Sequence, residues 1–359
     1  MRWILESALT LVINTLWMQN IVTVKDPCKC RDQTLCKPIS SSHRTEVFAF
    51  HLDQHDWAQY QWSKITTIVV SGDVEAKFYC IAHSHNIRLV LKVDITMSQL
   101  RNDATMKRHL FMAVWSVEKY SLDGIYMLFS SKLKKGSTNY HDFTRMVNKT
   151  ASKFYKTLPG SKITINVPWT PSCKNERCFD FLAISSVIDL LFVESFNIHK
   201  GMKETCVAKS ISSYHDVFAG LSDYIKLGIE SRKLVMGVPW YGYDYTCKRI
   251  PQDGVCELNC SHPVKKLIPY KTIIQHLPRS MTGKVWNDDQ SAPYAVYMDG
   301  KSYHQIWYDD PESISMKSTL LKRFKLGGIG VMQLTDVDHS RTAWAMLHAE
   351  EMWNALCPP

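Results

Sequence analysis

Short apolar runs rich in β-branched residues recur along the chain and alternate with amphipathic or loop-forming stretches. We predict eight buried strands at residues 46–50, 65–71, 88–93, 124–129, 162–167, 190–196, 233–238 and 328–332. The stretch 140–158 between two of them carries apolar residues at helical spacing. This alternation predicts an α/β fold, a closed parallel (β/α)8 TIM barrel. A doubly wound open sheet would also alternate, but no glycine-rich phosphate fingerprint follows any early strand.

The segment of about 240–307 departs from this rhythm. It is too long for a simple connection, it carries Cys247, Cys256 and Cys260, and it contains short extended pieces such as 294–297. We therefore predict a small α/β insertion between the seventh and eighth barrel strands.

The N-terminus indicates a compartment. Arg2 precedes an apolar stretch over about residues 8–17, which is too short to span a bilayer and fits a secretory signal peptide within residues 1–25. Residues 26–359 would then form the barrel. Glu6, Asn14 and the lack of a tidy small-residue cleavage site weaken this prediction, and the alternative is an amphipathic cytosolic start, which the cysteines that follow disfavour.

Eleven cysteines and two sequons support the secretory interpretation. The cysteines cluster as in disulfide-bonded loops, and no paired Cys-x-x-Cys or flanking His spacing supports zinc. Because the number is odd, one thiol is left over, and we expect it to be Cys357. Asn148 and Asn259 begin N-glycosylation sequons. We predict a glycoprotein of the secretory pathway that is lysosomal or extracellular, without a membrane span, a metal or a cofactor.

The chain is basic, with 43 Lys and Arg against 34 Asp and Glu and a formal charge of +9. The excess is spread out, and its densest cluster, residues 132–135, has no interleaved aromatic residues. This favours a solvated basic surface over a nucleic-acid interface.

Barrel enzymes place their chemistry at the carboxyl ends of the strands. Several aromatic residues fall near those predicted ends: Trp169, Trp240, Tyr241, Tyr243, Tyr245, Trp307 and Tyr308. Flat rings of this kind stack on the C–H faces of sugars, although core and insertion packing would account for about half of them. The pattern favours a carbohydrate site.

Segment 233–247 resembles the seventh-strand signature of glycoside hydrolase family 18. The likeness extends over nearly all of the chain after the predicted signal peptide. Further matching positions are Cys28, Cys30, Cys36 and residues 46–50, 62–67, 91–94, 269–272, 305–308 and 328–330.

This resemblance implies a mechanism whose key carboxylates are replaced in this chain. Family members cleave N-acetylated sugars with the substrate's own acetamido oxygen as nucleophile, a protonated Glu as acid and an orienting Asp, in the pattern D-x-x-D-x-D-x-E. Here Asp123 keeps the first position, where we interpret it as a structural hydrogen-bonding residue. Tyr126 replaces the second Asp, Leu128 the orienting Asp and Ser130 the acid.

The other walls implied by the resemblance have changed too. On the sixth strand, Phe196 and Asn197 replace a Tyr-Asp pair, and on the eighth strand Met332 replaces a Trp. Glu194 should share the inward face of Phe196, where it would be either a displaced acid or the partner of an Arg or Lys. We favour the second interpretation.

These changes give two hypotheses. The first is a family member without normal hydrolysis that binds N-acetylglucosamine-containing oligosaccharides. Its expected substrate-binding residues are Trp169, Phe196, Asn197, Tyr241, Asp244 and Met332. The second is an active glycosidase that uses Glu194. The oligomeric state does not follow from the sequence.

Overall fold

The computed structural model describes residues 28–39, 44–52, 57–173, 176–198, 206–252, 254–261 and 263–356. The predicted signal peptide and Cys357 lie outside the described residues. Eight parallel strands close into a barrel in the order β1-β13-β7-β6-β5-β4-β3-β2, with β2 paired back to β1. These strands are β1 (Glu46–His51), β2 (Thr67–Val70), β3 (Arg88–Ile95), β4 (Gly124–Phe129), β5 (Lys162–Pro168), β6 (Leu190–Glu194), β7 (Leu234–Val238) and β13 (Gly328–Val331).

Nine α-helices occur in the described residues; all but the seventh, which belongs to an insertion, flank the barrel. They are α1 (Ala76–Ser84), α2 (Met97–Arg101), α3 (Asp103–Lys119), α4 (Thr138–Thr157), α5 (Phe181–Ser185), α6 (Tyr214–Lys226), α7 (Tyr270–His276), α8 (Pro311–Phe324) and α9 (Ala343–Leu356). Helix α4 shows why the pattern folds this way, because the Ser137 side chain caps its first turn and Phe143, Met146 and Phe154 are buried on one face. The predicted TIM barrel is therefore confirmed.

The predicted insertion is also confirmed. Between β7 and β13, five antiparallel strands form a separate sheet in the order β10-β11-β12-β8-β9. They are β8 (Tyr241–Thr246), β9 (Lys265–Pro269), β10 (Val285–Asn287), β11 (Ala292–Asp299) and β12 (Ser302–Tyr308), with α7 between β9 and β10.

One strand prediction was wrong at its end. We expected the sixth strand to reach residue 196, but β6 ends at Glu194. The Ser195 N–H donates to Val193 O at 2.8 Å, and Asn197 has a φ of +53°. The chain therefore turns immediately after Glu194, and simple strand alternation does not place Glu194 and Phe196 on one face.

Disulfides join the ten described cysteines in five pairs. The pairs are Cys28–Cys36, Cys30–Cys80, Cys173–Cys178, Cys206–Cys260 and Cys247–Cys256. The disulfide interpretation is thus confirmed, and the cysteine that remains outside these pairs is Cys357. No helix of the described residues has the length and apolarity needed to cross a bilayer.

The barrel encloses an apolar core of its own, separate from the main core in which most of the helix-facing side chains lie. Aromatic rings dominate this inner core, with Phe50 and Phe192 each in contact with Tyr126 at centroid distances of 4.9 and 5.7 Å. Partly buried Leu128 and Met332 pack against it. Below the mouth, the barrel is therefore filled with side chains.

Candidate functional site at the barrel mouth

Strand β4 carries the residues that the sequence comparison predicted to replace the family's carboxylates, and its side chains alternate as a barrel strand requires. Tyr126 and Leu128 belong to the inner core, whereas Met127 and Phe129 belong to the outer one. Ser130 follows the strand directly and is exposed to solvent. At the carboxyl end of β4 the structure therefore presents a hydroxyl and an aliphatic side chain, and neither supplies a carboxylic acid.

Asp123 lies at the opposite, amino-terminal end of β4. Its carboxylate is buried and accepts hydrogen bonds from the backbone N–H of Ile39 at 2.9 Å and of Leu89 at 2.8 Å. His83 Nε2 lies 3.1 Å from the same carboxylate. These contacts tie the N-terminal segment, β3 and α1 to the start of β4. Asp123 cannot contact a substrate at the mouth, because the length of β4 lies between this residue and the carboxyl end of the barrel.

Glu194 forms an ion pair with Arg177. The expectation of a basic partner is thus confirmed. Arg177 also donates to Phe129 O at 3.0 Å and to the Asn166 side chain. Asn166 in turn donates to the Tyr126 hydroxyl at 3.3 Å. The guanidinium therefore lies over the end of β4, one residue from Ser130, and links strands β4, β5 and β6.

Sequence reasoning missed Arg177. The residue lies in a loop closed by the Cys173–Cys178 disulfide, and this loop pairs with the segment that follows Ser130. Leu133 N–H donates to Glu176 O at 2.7 Å, and Cys178 N–H donates to Leu133 O at 3.1 Å. In the sequence, the one hint was that Arg177 lies between two cysteines that could form a short disulfide loop. Only the fold brings this arginine to Glu194.

Asn197 holds two tyrosines at the mouth. Its side-chain N–H donates to the Tyr241 hydroxyl at 3.0 Å, and the Tyr243 hydroxyl donates to its oxygen at 2.6 Å. Burial raises the pKa of Tyr241, and the neighbouring Tyr243 raises it further. Burial likewise raises the pKa of Tyr243. Both phenols therefore remain protonated hydrogen-bond donors at neutral pH. Phe196 packs beside them, with its ring 6.1 Å from that of Tyr241.

Asp244 is engaged within the insertion sheet. It accepts a hydrogen bond from the Tyr297 hydroxyl at 2.7 Å and lies 3.1 Å from His304 Nδ1. Burial and this hydrogen bond raise the pKa of Tyr297 above its usual range. Tyr297 of β11 and His304 of β12 thus position this carboxylate. Met332 lies elsewhere, in the inner core with Phe196 and Tyr241.

Several aromatic residues lie away from the mouth. Trp169 is buried in the main core and contacts Gly220 of α6, so its ring is not presented to a sugar in the cavity of the barrel. Trp240 is fully buried and packs edge-to-face on Trp353 at 4.8 Å. Trp307 lies in the core of the insertion. Their long-range packing partners, which the sequence does not reveal, take these rings out of the predicted carbohydrate site.

Both predicted glycosylation positions are exposed. Asn148 lies on the outer surface of α4, although Thr150 of its sequon is buried and donates to Met146 O at 2.9 Å. Asn259 lies in the insertion, next to the Cys206–Cys260 disulfide.

One group of potential metal ligands occurs in the part of the chain that the structure describes. The sulfurs of Cys28, Cys30 and Cys36 lie within 4.8 Å of one another. All three are consumed by disulfides, which removes the thiolate form that binds metals.

Known proteins match this architecture and sequence. Residues 81–336 match the model of the glycosyl hydrolases family 18. Di-N-acetylchitobiase from Homo sapiens is 36% identical over 346 residues, covering 92% of this chain and 88% of that protein. The probable di-N-acetylchitobiase 2 of Dictyostelium discoideum is 28% identical, covering 92% and 90% of the two chains.

Solved structures agree on the fold. A class V chitinase from Nicotiana tobaccum superimposes with a TM-score of 0.71 at 13% identity, covering 88% of this chain and 99% of the other. A GH18 chitinase from Cycas revoluta in complex with (GlcNAc)3 gives a TM-score of 0.70 at 12% identity, covering 86% and 99%. The chain therefore belongs to glycosyl hydrolases family 18 and is chitobiase-like.

Proposed function

We propose that this protein binds N-acetylglucosamine-containing oligosaccharides at the barrel mouth without hydrolysing them. The observation that carries the proposal is the exposed Ser130 at the carboxyl end of β4, with Leu128 one inward position earlier. A serine hydroxyl cannot protonate a leaving oxygen as a carboxylic acid does. The loss of a general acid typically costs about 10²–10⁴-fold in rate.

The remaining mouth residues support binding more than cleavage. Asn197, Tyr241 and Tyr243 form a hydrogen-bonded group of amide and phenol groups beside an apolar floor. Amides and phenols suit sugar hydroxyl and acetamido groups, and apolar side chains suit the C–H faces of the rings. The Cycas chitinase, which is bound to (GlcNAc)3, supports the ligand class. We place the protein in the secretory pathway, lysosomal or extracellular, because its ten described cysteines are paired and its relatives are chitobiases.

The rival proposal is hydrolysis of chitobiose-type linkages with Glu194 as a relocated acid. It draws on the position of Glu194 at the mouth, where the side chain is 24% exposed. Against it, the Glu194 carboxylate already accepts a hydrogen bond from the Arg177 guanidinium. In addition, Leu128 stands where the mechanism needs the orienting Asp.

Two assays on the purified full chain separate these proposals. With a fluorogenic chitooligosaccharide at pH 5, we expect no turnover above the buffer rate, whereas calorimetry with chitotetraose should give saturable binding. Tyr243→Phe should weaken that binding about fivefold by removing a hydrogen bond that positions Asn197. Tyr303→Phe, at an exposed tyrosine of the insertion, is the matched control and should change nothing.

Each contrary result has a distinct meaning. Turnover that Glu194→Gln abolishes would establish the rival proposal. Turnover that survives Glu194→Gln would place the active site elsewhere in the molecule. Absence of chitotetraose binding would refute the binding proposal.

Rebuilding the motif provides a further test. We expect the double variant Leu128→Asp, Ser130→Glu to remain inactive, because Phe196 lacks the phenol and Met332 the indole that the family mechanism uses. Full activity in the double variant would show that those two positions are dispensable.

A further inference from the structure

A second cleft lies outside the barrel, between α7 of the insertion and the last two helices, α8 and α9. Its volume is about 690 Å³. An adjoining depression of about 570 Å³ shares Ile274, Pro278 and Trp344 with it, which extends the cleft along α7. None of the residues that line it belongs to the barrel mouth, so it is independent of the proposed glycan site.

The walls of this cleft are mainly hydrocarbon and aromatic. Ile274, Leu277 and Pro278 form one wall, and Pro311 and Ala355 contribute from the opposite helices. Trp344 projects from the first turn of α9 and is 41% exposed. Such a surface suits an apolar ligand body better than a sugar, which needs a polar partner for nearly every hydroxyl.

Its charges are predominantly acidic, although the chain as a whole is basic. Three carboxylates line the main cleft, those of Asp310, Glu312 and Glu351, against the single ammonium of Lys284, and the adjoining depression adds one acid and one base, Asp338 and Arg279. Lys284 lies between the first two, 2.6 Å from Asp310 and 2.7 Å from Glu312. The cleft thus already holds one alkylammonium between carboxylates, and it disfavours an anionic ligand.

Among the described residues, Glu351 is the carboxylate of the main cleft that is not paired with Lys284; its own ionic neighbour is a histidine. Glu351 lies seven residues after Trp344, which places both side chains on the same face of α9. Its neighbour in the cleft is His348, whose Nδ1 is 3.4 Å from the carboxylate and whose ring contacts Trp344 at a centroid distance of 4.6 Å. An aromatic face next to a carboxylate is the arrangement that attracts organic cations.

A buried polar atom provides an independent sign of a missing partner. Tyr308 lines the cleft and is only 1% exposed, and its hydroxyl has no hydrogen-bond partner among the residues that the structure describes. An unsatisfied buried hydroxyl is costly, so this side of the cleft holds an unmet polar group behind its hydrocarbon surface.

We propose that this cleft binds an organic cation, a primary or methylated amine carried on an aromatic or branched hydrocarbon body. The hydrocarbon walls take the body, while Trp344 and Glu351 take the charge.

The test uses three probes of similar shape with the purified full chain at pH 7.5: phenethylammonium, 2-phenylethanol and 3-phenylpropanoate. By calorimetry or ligand-observed NMR, we expect phenethylammonium to bind at least fivefold more tightly than the alcohol, with the carboxylate weakest. Glu351→Gln should remove most of the preference for the amine, and Trp344→Ala should weaken both the amine and the alcohol. Glu350→Gln, at the exposed acid that immediately precedes Glu351 in α9, is the matched control.

Three outcomes would overturn the proposal. Equal affinity for amine and alcohol would mean that the cleft does not select charge. Equal effects of Glu350→Gln and Glu351→Gln would mean that only long-range charge matters. Binding of a lysine-containing peptide but not of the free amine would make the site a protein-docking surface instead.

Discussion

The two ends of the barrel differ in how many carboxylates they carry along strand β4, with Asp123 at the amino-terminal end and Leu128 and Ser130 at the carboxyl end. At the amino-terminal end, Glu46 pairs with Arg88 at 2.6 Å and accepts from the Thr67 hydroxyl at 3.0 Å, and Asp123 accepts two backbone N–H groups. At the carboxyl end, Leu128 and Met332 pack on the apolar core, and the carboxylate of Glu194 is paired with Arg177.

The contrast separates structural from chemical requirements within one strand. Asp123 and Ser130 belong to the same eight-residue motif but lie at opposite ends of β4. A carboxylate at the amino-terminal end satisfies buried donors, so its removal affects folding. A carboxylate at the position of Leu128 or Ser130 would satisfy no buried donor of the barrel, so its replacement leaves the barrel intact. Retention of a family fold and loss of its chemistry are therefore physically compatible.

The largest effect should come from removing the amino-terminal carboxylate. Asp123→Ala leaves the N–H groups of Ile39 and Leu89 without acceptors and His83 without its acidic neighbour. We expect a loss of about 3 kcal/mol in the free energy of unfolding, measured by urea denaturation with circular dichroism. Asp94→Ala, at an exposed carboxylate of β3, is the control and should cost less than about 0.5 kcal/mol. Equal losses in both variants would contradict a structural role for Asp123.

The ion pair at the mouth should have a smaller effect, because its side chains retain 11% and 24% exposure. Arg177→Met leaves Glu194 without its cation and should cost on the order of 2 kcal/mol, below the range for fully buried pairs. The double variant with Glu194→Gln should recover part of that loss. A double-mutant cycle with no coupling would show that the pair does not stabilise the mouth.

Asn197 should matter less again. Asn197→Ala removes both tyrosine hydrogen bonds and replaces an asparagine, which tolerates a φ of +53°, with a residue that does not, for an expected cost of about 1.5 kcal/mol. Asn197→Gly relieves the backbone while still removing the hydrogen bonds, so it should cost less than Asn197→Ala. If glycine costs as much as alanine in thermal denaturation, backbone strain contributes nothing there.

Ser130 should give the smallest effect. Ser130→Ala removes an exposed hydroxyl that follows the strand, and we expect a change within about 0.5 kcal/mol. Chitotetraose binding and background hydrolysis should also stay unchanged. A measurable loss of either would assign Ser130 a role of its own at the mouth.

Much of this architecture was predictable because it depends on local pattern. Runs of buried β-branched residues placed all eight barrel strands, and the cysteine-bearing segment 240–307 marked the insertion. The end of β6 was mispredicted because the left-handed backbone at Asn197 leaves no signal in apolar periodicity. The sequence placed Trp169 directly after β5 and therefore predicted it at the mouth. Its packing against Gly220, which buries it, could not be predicted from the sequence.

The amino-acid sequence alone specified the barrel and the insertion, since these follow from hydrophobic period and composition, and the resemblance to the family predicted the replaced carboxylates. Only the tertiary structure decided which charges meet. Arg177 reaches Glu194 across 17 residues of chain, and Trp344 lines a cleft with Tyr308, because closure of the barrel and docking of the last helices bring distant segments together. Local pattern carries no information about such contacts. For that reason, Ser130 at the predicted acid position could be recognised from the sequence, whereas the Arg177–Glu194 ion pair beside it could not.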